Sequence, residues 1–134
     1  MRTKITALTT RLAPGLMLSL MMAITLLAAQ LPARAAELVM LEQPGCSWCK
    51  RWNEEIGTAY PNTEEGKLAP LRRVDITEGW PADLGQVRRE RLTPTFILVE
   101  DGEEVARLRG YPGAHFFWPV LNDMLSKLSS TSIN

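Results

Sequence analysis

Two cysteines separated by two residues carry the strongest chemical signal in this chain. Cys46 and Cys49 are the only cysteines among its 134 residues. Two thiols at this spacing at the start of a helix can close a small disulfide ring, and the helix dipole favours the thiolate of the first. Lys50 and Arg51 follow directly and add positive charge. We therefore expect a redox pair, with Cys46 as the exposed attacking thiol and Cys49 as the shielded resolving thiol.

Other uses of this cysteine spacing fit less well. Attachment of a c-type haem needs histidine directly after the second cysteine, where this chain has Lys50. A structural zinc site of the Cys/His type needs four ligands, and only His115 could join the two cysteines in one. An inert bridge across so short a loop would add little stability. We expect no metal and no cofactor, and a non-enzymatic metal-binding module stays as the alternative from another class.

Residues 1–35 are predicted to form a secretory signal peptide. A basic start precedes an apolar run at Leu16–Ala29, and Ala33 and Ala35 fit the −3 and −1 cleavage positions. A membrane span needs about 20 apolar residues, and this run has 14. The alternative is an uncleaved anchor. We expect residues 36–134 to be exported to the periplasm, where disulfides are permitted, with no stable membrane insertion after cleavage.

The net charge of zero divides unequally along the chain. Four of its 15 basic residues, Arg2, Lys4, Arg11 and Arg34, precede residue 36, and none of its 15 acidic residues does. The remainder holds 11 basic and 15 acidic residues, a net charge of −4. This mildly acidic balance argues against nucleic acid as a partner. The 99 residues from 36 to 134 suffice for one domain with its own core.

The order of apolar patterns predicts an α/β fold. Short apolar or alternating runs indicate strands, longer runs with helical spacing indicate helices, and Asp101-Gly102 indicates a hairpin turn. The polar stretch Thr63–Pro70 is expected to be a loop. The order is β-α-β-α-β-β-α, a four-stranded mixed sheet flanked by helices. The predicted strands are Leu38–Leu41, Leu71–Ile76, Thr95–Val99 and Val105–Leu108, and the predicted helices are Cys49–Ala59, Pro81–Leu92 and Ala114–Leu128.

The first predicted helix has one apolar face. Trp48, Trp52, Ile56 and Ala59 recur at spacings of four, four and three residues. This is the spacing of one side of a helix with 3.6 residues per turn. The sequence therefore predicts a helix with one apolar face.

Three features in this order resemble the thioredoxin superfamily. A strand leads into the cysteine pair, Thr93-Pro94 stands directly before the third strand, and Gly110 follows the fourth. The similarity covers Glu37–Leu128, and Pro94 follows Cys49 by 45 residues. The resemblance implies a minimal thioredoxin-like fold, a cis peptide bond before Pro94 and activity as a thiol–disulfide oxidoreductase.

The resemblance also implies roles for residues around the cysteines. Pro94 would lie against the disulfide, and the backbone of Thr93 would bind an extended partner segment by strand addition. Ser47 and Trp48, between the cysteines, would contact the substrate, with partial burial on the helix face as the alternative for Trp48. Met40 occupies the position of the buried acid that accepts a proton in this family. An aromatic residue before the second cysteine and a threonine before the proline resemble the periplasmic isomerase and reductase branches.

Two local runs narrow the resemblance further. Glu42–Cys49 and Gly110–Gly113 are similar to the small periplasmic thioredoxins encoded with bacterial sulfur-oxidation genes. This resemblance implies reduction of a disulfide or persulfide on the cysteine-bearing carrier of that system, with a membrane thiol–disulfide transporter as electron donor. A periplasmic disulfide isomerase or oxidase is the alternative. Within the second run, Tyr111 and Pro112 are expected to form a turn into the last helix.

Overall fold

The computed structural model describes residues 36–128, so the predicted signal peptide at 1–35 and the polar tail at 129–134 lie outside the described residues. The strands are β1 (Ala36–Glu42), β2 (Leu71–Asp75), β3 (Thr95–Glu100) and β4 (Glu103–Arg109). They form one mixed sheet in the order β2-β1-β3-β4. β1 and β2 are parallel, and β3 is antiparallel to both β1 and β4. The predicted α/β fold class is confirmed.

Helices connect and cover these strands. The first, α1, begins at Ser47 rather than at Cys49 and runs directly into a π-helical turn that ends at Gly57. A 3-10 turn covers Tyr60–Asn62, and a second covers Ala82–Leu84. The helices are α1 (Ser47–Trp52) with its π turn (Asn53–Gly57), α2 (Glu64–Leu68) and α3 (Ala114–Ser126).

The two central strands are buried on both faces of the sheet. This explains why they read as continuous apolar runs rather than as alternating ones. On one face α1 and α3 cover Leu38, Met40, Phe96 and Leu98. On the other face the segment between β2 and β3 covers the sheet, and its buried cluster contains Val39, Leu41, Val74, Leu84, Val87, Ile97 and Val99.

Three aromatic rings join α1, β3 and α3. The ring of Phe96 lies 5.2 Å from that of Trp52 and 5.1 Å from that of Phe117, measured between centroids. Trp52 and Phe117 are 5.8 Å apart in an edge-on arrangement. Such tilted pairs are the favoured geometry of buried aromatic rings. They fix the helix that carries the cysteines against the sheet.

The predicted helix at Pro81–Leu92 was wrong. Only Ala82–Leu84 is helical, as a single 3-10 turn, although Leu84 and Val87 are buried as expected. Side chains take the place of helical hydrogen bonds farther along, where Arg107 Nη2 donates to the carbonyl oxygen of Arg88 at 2.7 Å. Because this partner lies on β4, local periodicity could not reveal it.

The predicted loop at Thr63–Pro70 was also wrong, because it contains α2. Thr63 caps this helix, and its Oγ1 accepts a hydrogen bond from the backbone N–H of Gly66 at 3.0 Å. A threonine in this role satisfies a donor that the first helical turn leaves open.

The predicted apolar face of α1 is only half correct. Trp52 and Ile56 are buried, but 51% of Trp48 is exposed and Ala59 is exposed. Trp48 belongs to the first turn, directly after the loop that leaves β1, whereas Ala59 lies beyond the end of the helix. The π turn also changes the angular spacing on which the face was predicted.

Candidate active site

The loop between β1 and α1 presents the first cysteine at the start of the helix. The N–H of Cys46 bonds to the carbonyl oxygen of Gln43 at 3.2 Å and closes a turn. Gly45 within that turn has φ +78°, a conformation that favours glycine. Cys46 then adopts an extended conformation and caps α1, with its Sγ accepting from the backbone N–H of Cys49 at 3.1 Å.

Cys46 and Cys49 are joined by a disulfide bond, with their Cα atoms 5.3 Å apart. Only 4% of Cys49 is exposed, because it faces the core from the first turn of α1. Cys46 is partly exposed and packs at the margin of the same core. An incoming sulfur atom therefore reaches Cys46 more readily than Cys49.

A cleft of about 460 Å³ opens beside the disulfide. Both cysteines line it, and so does Ser47, whereas Trp48, Thr93 and Pro94 do not. The charged side chains at its wall are one carboxylate and one ammonium group. The lining residues are Glu42, Gln43, Gly45, Cys46, Ser47, Cys49, Lys50 and Asn53.

Arg73 of β2 holds one wall of this cleft in place. Its Nη1 donates to Glu42 Oε2 at 2.6 Å, and its Nη2 donates to Asn53 Oδ1 at 2.5 Å. Its guanidinium carbon also lies 5.8 Å from the ring centroid of Trp52. One cation thus ties the end of β1 to the π turn that follows α1. No local pattern in the sequence pointed to Arg73.

The loop before β3 reaches the same end of the sheet. Thr95 pairs with Leu41, so the residues before Thr95 lie beside the chain that leaves β1 for the cysteines. The Thr93–Pro94 peptide bond is cis, Pro94 is buried and Thr93 is half-buried. The carbonyl oxygen of Pro94 accepts from the N–H of Gly110 at 2.8 Å, which joins the loop to the end of β4.

Glu90 anchors this loop from its N-terminal side. Its Oε1 accepts hydrogen bonds from the backbone N–H groups of Arg91 and Leu92 at 2.8 and 3.3 Å. Its Oε2 forms an ion pair with Arg109 of β4. The two N–H bonds, followed by Arg109, lower the pKa of Glu90 to about 2. Sequence reasoning missed Glu90, because its ion-pair partner Arg109 lies on β4, far along the chain.

Tyr111 is more than a turn residue. Only 6% of it is exposed, and its hydroxyl donates to Glu55 Oε2 at 2.5 Å. Burial, and then the bond to Glu55, raises the pKa of Tyr111. Its hydrogen bond, and then that of Arg51, lowers the pKa of Glu55. Sequence reasoning also missed Glu55, which lies 56 residues before its partner.

Within residues 36–128, no group of three or more His, Cys, Asp or Glu side chains is arranged to hold a metal ion, and His115 is exposed on α3. No helix in this range is long and apolar enough to cross a membrane.

Comparison with solved structures decides the family. The periplasmic thioredoxin SoxS from Paracoccus pantotrophus, in its reduced form, is 43% identical, with a TM-score of 0.66. The match covers 69% of this chain and 98% of SoxS. This chain belongs to the thioredoxin superfamily. Its membership and its Cys46–Cys49 disulfide make it a thiol–disulfide oxidoreductase.

More distant structures share the fold. Trxlp from Edwardsiella tarda is 26% identical, with a TM-score of 0.53, over 75% of this chain and 91% of its own. A thioredoxin-fold protein from Helicobacter pylori is 20% identical, with a TM-score of 0.53, over 66% of this chain and 67% of its own. Neither a family model nor a curated protein sequence matches this chain.

Proposed function

We propose that this protein is exported and acts in the periplasm as a reductase of a disulfide or persulfide on a partner protein. The partner would be the cysteine-bearing carrier of the sulfur-oxidation system, and a membrane thiol–disulfide transporter would supply electrons. The supporting observation is the 43% identity with SoxS, a periplasmic thioredoxin, over 98% of the length of SoxS.

Export depends on residues 1–35 acting as a cleaved signal peptide. The full chain expressed in a bacterium with a periplasm should yield a product in the periplasmic fraction whose N-terminal residue is Ala36. A product that starts at Met1 and sediments with the membranes would instead indicate an anchor.

Reduction would proceed in two exchanges of sulfur bonds. The Cys46 thiolate attacks one sulfur of the partner disulfide, forms a mixed disulfide and releases the other partner sulfur as a thiolate. The Cys49 thiol then loses its proton and attacks Cys46 Sγ. This step re-forms the Cys46–Cys49 bond and releases the second partner sulfur. Two electrons pass from the protein to the partner, and the two released thiolates are protonated.

The surroundings of the two sulfur atoms support this division of roles. The N–H of Cys49 points at Cys46 Sγ, and a hydrogen bond from a helix start stabilises a thiolate. Lys50 at the wall of the cleft adds a positive charge. Cys49 is shielded from solvent, so external disulfides would meet Cys46 first.

Residues around the cysteines would bind the partner. Thr93 is half-buried at the end of the sheet, and we assign its backbone groups to an extended partner segment. Pro94 would shape that loop. Ser47 and Trp48, both exposed between the cysteines, would contact the partner next to its reacting sulfur.

The trapping experiment tests the partner and the roles of both cysteines. Reduced Cys49→Ser protein, mixed with the purified carrier in its disulfide or persulfide form, should accumulate a stable mixed disulfide through Cys46. Cys46→Ser is the matched control and should give none. If the Cys46→Ser protein is trapped instead, the roles are reversed. If Cys49→Ser traps a small peptide disulfide but never the carrier, the carrier assignment is wrong.

A further inference from the structure

One large apolar side chain beside the disulfide packs neither in the core nor in the cleft. Trp48 lies between the two cysteines, and 51% of it is exposed. An exposed indole at this place has a hydrophobic surface that a partner could cover. A series of contacts connects this side chain to the interior of the protein and fixes its orientation.

The first contact in this series is with Arg51. The guanidinium carbon of Arg51 lies 5.5 Å from the centroid of the Trp48 ring, within the range of a cation–π interaction. Its Nε donates a hydrogen bond to Glu55 Oε1 at 2.7 Å. Arg51 is therefore held between the indole and a carboxylate one turn farther along.

The second contact fixes that carboxylate. The hydroxyl of Tyr111 donates to the other oxygen of Glu55 at 2.5 Å. Tyr111 is buried, and its ring lies 5.9 Å from that of Phe117 in an edge-on arrangement. The series thus ends at a residue that the core immobilises.

Arg51 keeps part of its hydrogen-bonding capacity. Its bond to Glu55 uses Nε, and within residues 36–128 no acceptor bonds to its Nη1 or Nη2. The side chain is 53% exposed. Two adjacent guanidinium N–H groups fit the two oxygen atoms of a carboxylate.

We propose that Trp48 and Arg51 form a platform that binds a carboxylate close to the target sulfur of a partner, and that Tyr111 acts through Glu55 as a positioning residue for it. The inference rests on the proposed function. The carboxylate would bind the free Nη groups, and the apolar part of the same segment would cover the indole. The carboxylate could belong to an acidic side chain or to a chain terminus, since both have the same chemistry.

Holding the platform in place before binding lowers the entropy cost of binding. Loss of the Tyr111 hydroxyl would therefore weaken binding of a carboxylate-bearing segment. It would leave the attack of Cys46 on a bound disulfide unchanged.

The test uses short peptides whose single cysteine forms a disulfide with uncharged 2-thiopyridine. They differ only near the cysteine: an amidated peptide with Glu, an amidated peptide with Gln, and the Gln peptide with a free C-terminal carboxylate. Reduced protein mixed with excess peptide releases 2-thiopyridone once per turnover. The dependence of this rate on peptide concentration gives an apparent Kd and a limiting rate.

The wild-type protein should bind at least one carboxylate peptide about two- to fivefold more tightly than the amidated Gln peptide, the range expected of an exposed ion pair. The Glu peptide and the free-terminus peptide tell the two sources of the carboxylate apart. Arg51→Gln should abolish the preference. Tyr111→Phe should reduce it, with the limiting rate unchanged.

Tyr60→Phe is the matched control for Tyr111→Phe. It also removes a buried tyrosine hydroxyl, whose bond to the carbonyl oxygen of Ala69 is 2.8 Å long, but outside the platform. It should keep the wild-type preference. Nitrogen-15 relaxation of the Trp48 indole N–H should show greater mobility in Tyr111→Phe and not in Tyr60→Phe.

The outcomes separate this inference from the proposed function. If the wild-type protein reduces every peptide equally well, the platform is wrong and the reductase stands. If it reduces none of them, the proposed function itself fails. Equal loss of the preference in Tyr60→Phe and Tyr111→Phe would overturn the positioning role of Tyr111.

Discussion

A β carbon at residue 66 would lie 1.9 Å from the carbonyl oxygen of Tyr60. Gly66 belongs to α2, which folds over Tyr60 so closely that only a hydrogen atom fits between them. The hydroxyl of the same tyrosine donates to Ala69, just beyond the end of α2. Tyr60 is thus enclosed by one short segment that the sequence presents only as a polar stretch.

Gly66→Ala should destabilise the protein strongly. The new methyl group would meet a backbone atom, which cannot rotate away, so α2 would have to shift. We expect the free energy of unfolding to fall by about 2–3 kcal/mol, the cost of marked overpacking. Urea denaturation would measure this loss.

Gly79→Ala is the control, because a β carbon at residue 79 would meet nothing within 4 Å. Its effect should stay within about 0.5 kcal/mol. Equal stability of the two variants would contradict the close approach of α2 to Tyr60.

Phe117→Ala should also be costly. Phe117 is fully buried and its ring contacts those of Trp52, Phe96 and Tyr111. Removing a ring from such a cluster typically costs about 3–5 kcal/mol. Thermal and urea denaturation should both report the loss.

The neighbouring residue supplies the comparison for Phe117. Phe116 is 61% exposed on the same helix, so Phe116→Ala should change the free energy of unfolding by about 0.5 kcal/mol or less. The aromatic cluster would not be the core of this domain if both substitutions had the same small effect.

Glu90→Gln should destabilise the protein in a pH-dependent manner. The pKa of Glu90 is about 2 in the folded protein and its ordinary value is 4.5. Because folding lowers this pKa, the charged carboxylate stabilises the folded state above pH 4.5, and the contribution is lost as the pH falls towards 2. The urea midpoint of Glu90→Gln should lie below that of the wild type at pH 7, and the two should converge near pH 2.

A second carboxylate tests whether this effect belongs to Glu90. Glu103 is exposed at the start of β4. Glu103→Gln should follow the wild-type pH profile. A constant difference between Glu90→Gln and the wild type from pH 7 to pH 2 would show that the anchoring carboxylate does not act through its charge.

The reduction potential of the Cys46–Cys49 pair should lie near the reducing end of the superfamily. A reductase of thioredoxin type has a potential of about −270 mV, whereas a strong oxidant has one of about −120 mV. Equilibration with glutathione, followed by alkylation of the free thiols, measures this value. A potential near the oxidising end would favour a periplasmic oxidase over the reductase that we propose.

Much of the fold could be predicted from the sequence because its strands have strong local patterns. Thr95–Glu100 is β-branched and aromatic, and it is the buried central strand that its composition predicts. Asp101-Gly102 forms the hairpin turn as predicted, with positive φ at both residues. The cysteine pair could be found for a similar reason, since its spacing is itself the signal.

The errors fall where the partner of a segment is distant in sequence. Pro81–Leu92 has helix-like spacing, but two arginines of β4 hold this segment in an irregular conformation. Arg107 donates to the carbonyl oxygen of Arg88, and Arg109 forms an ion pair with Glu90. α2 is the exception, because its cap Thr63 and its neighbour Tyr60 both lie close by in the sequence.

By itself, the sequence determined the order of strands along the chain, the place of the redox pair and the superfamily, because these depend on residue types at short, regular spacing. The tertiary structure alone decided which side chains from distant parts of the sequence lie near that pair. Arg73 reaches Glu42 and Tyr111 reaches Glu55 across 31 and 56 residues. Such contacts form only when packing brings separate elements together, so no spacing along the chain could encode them.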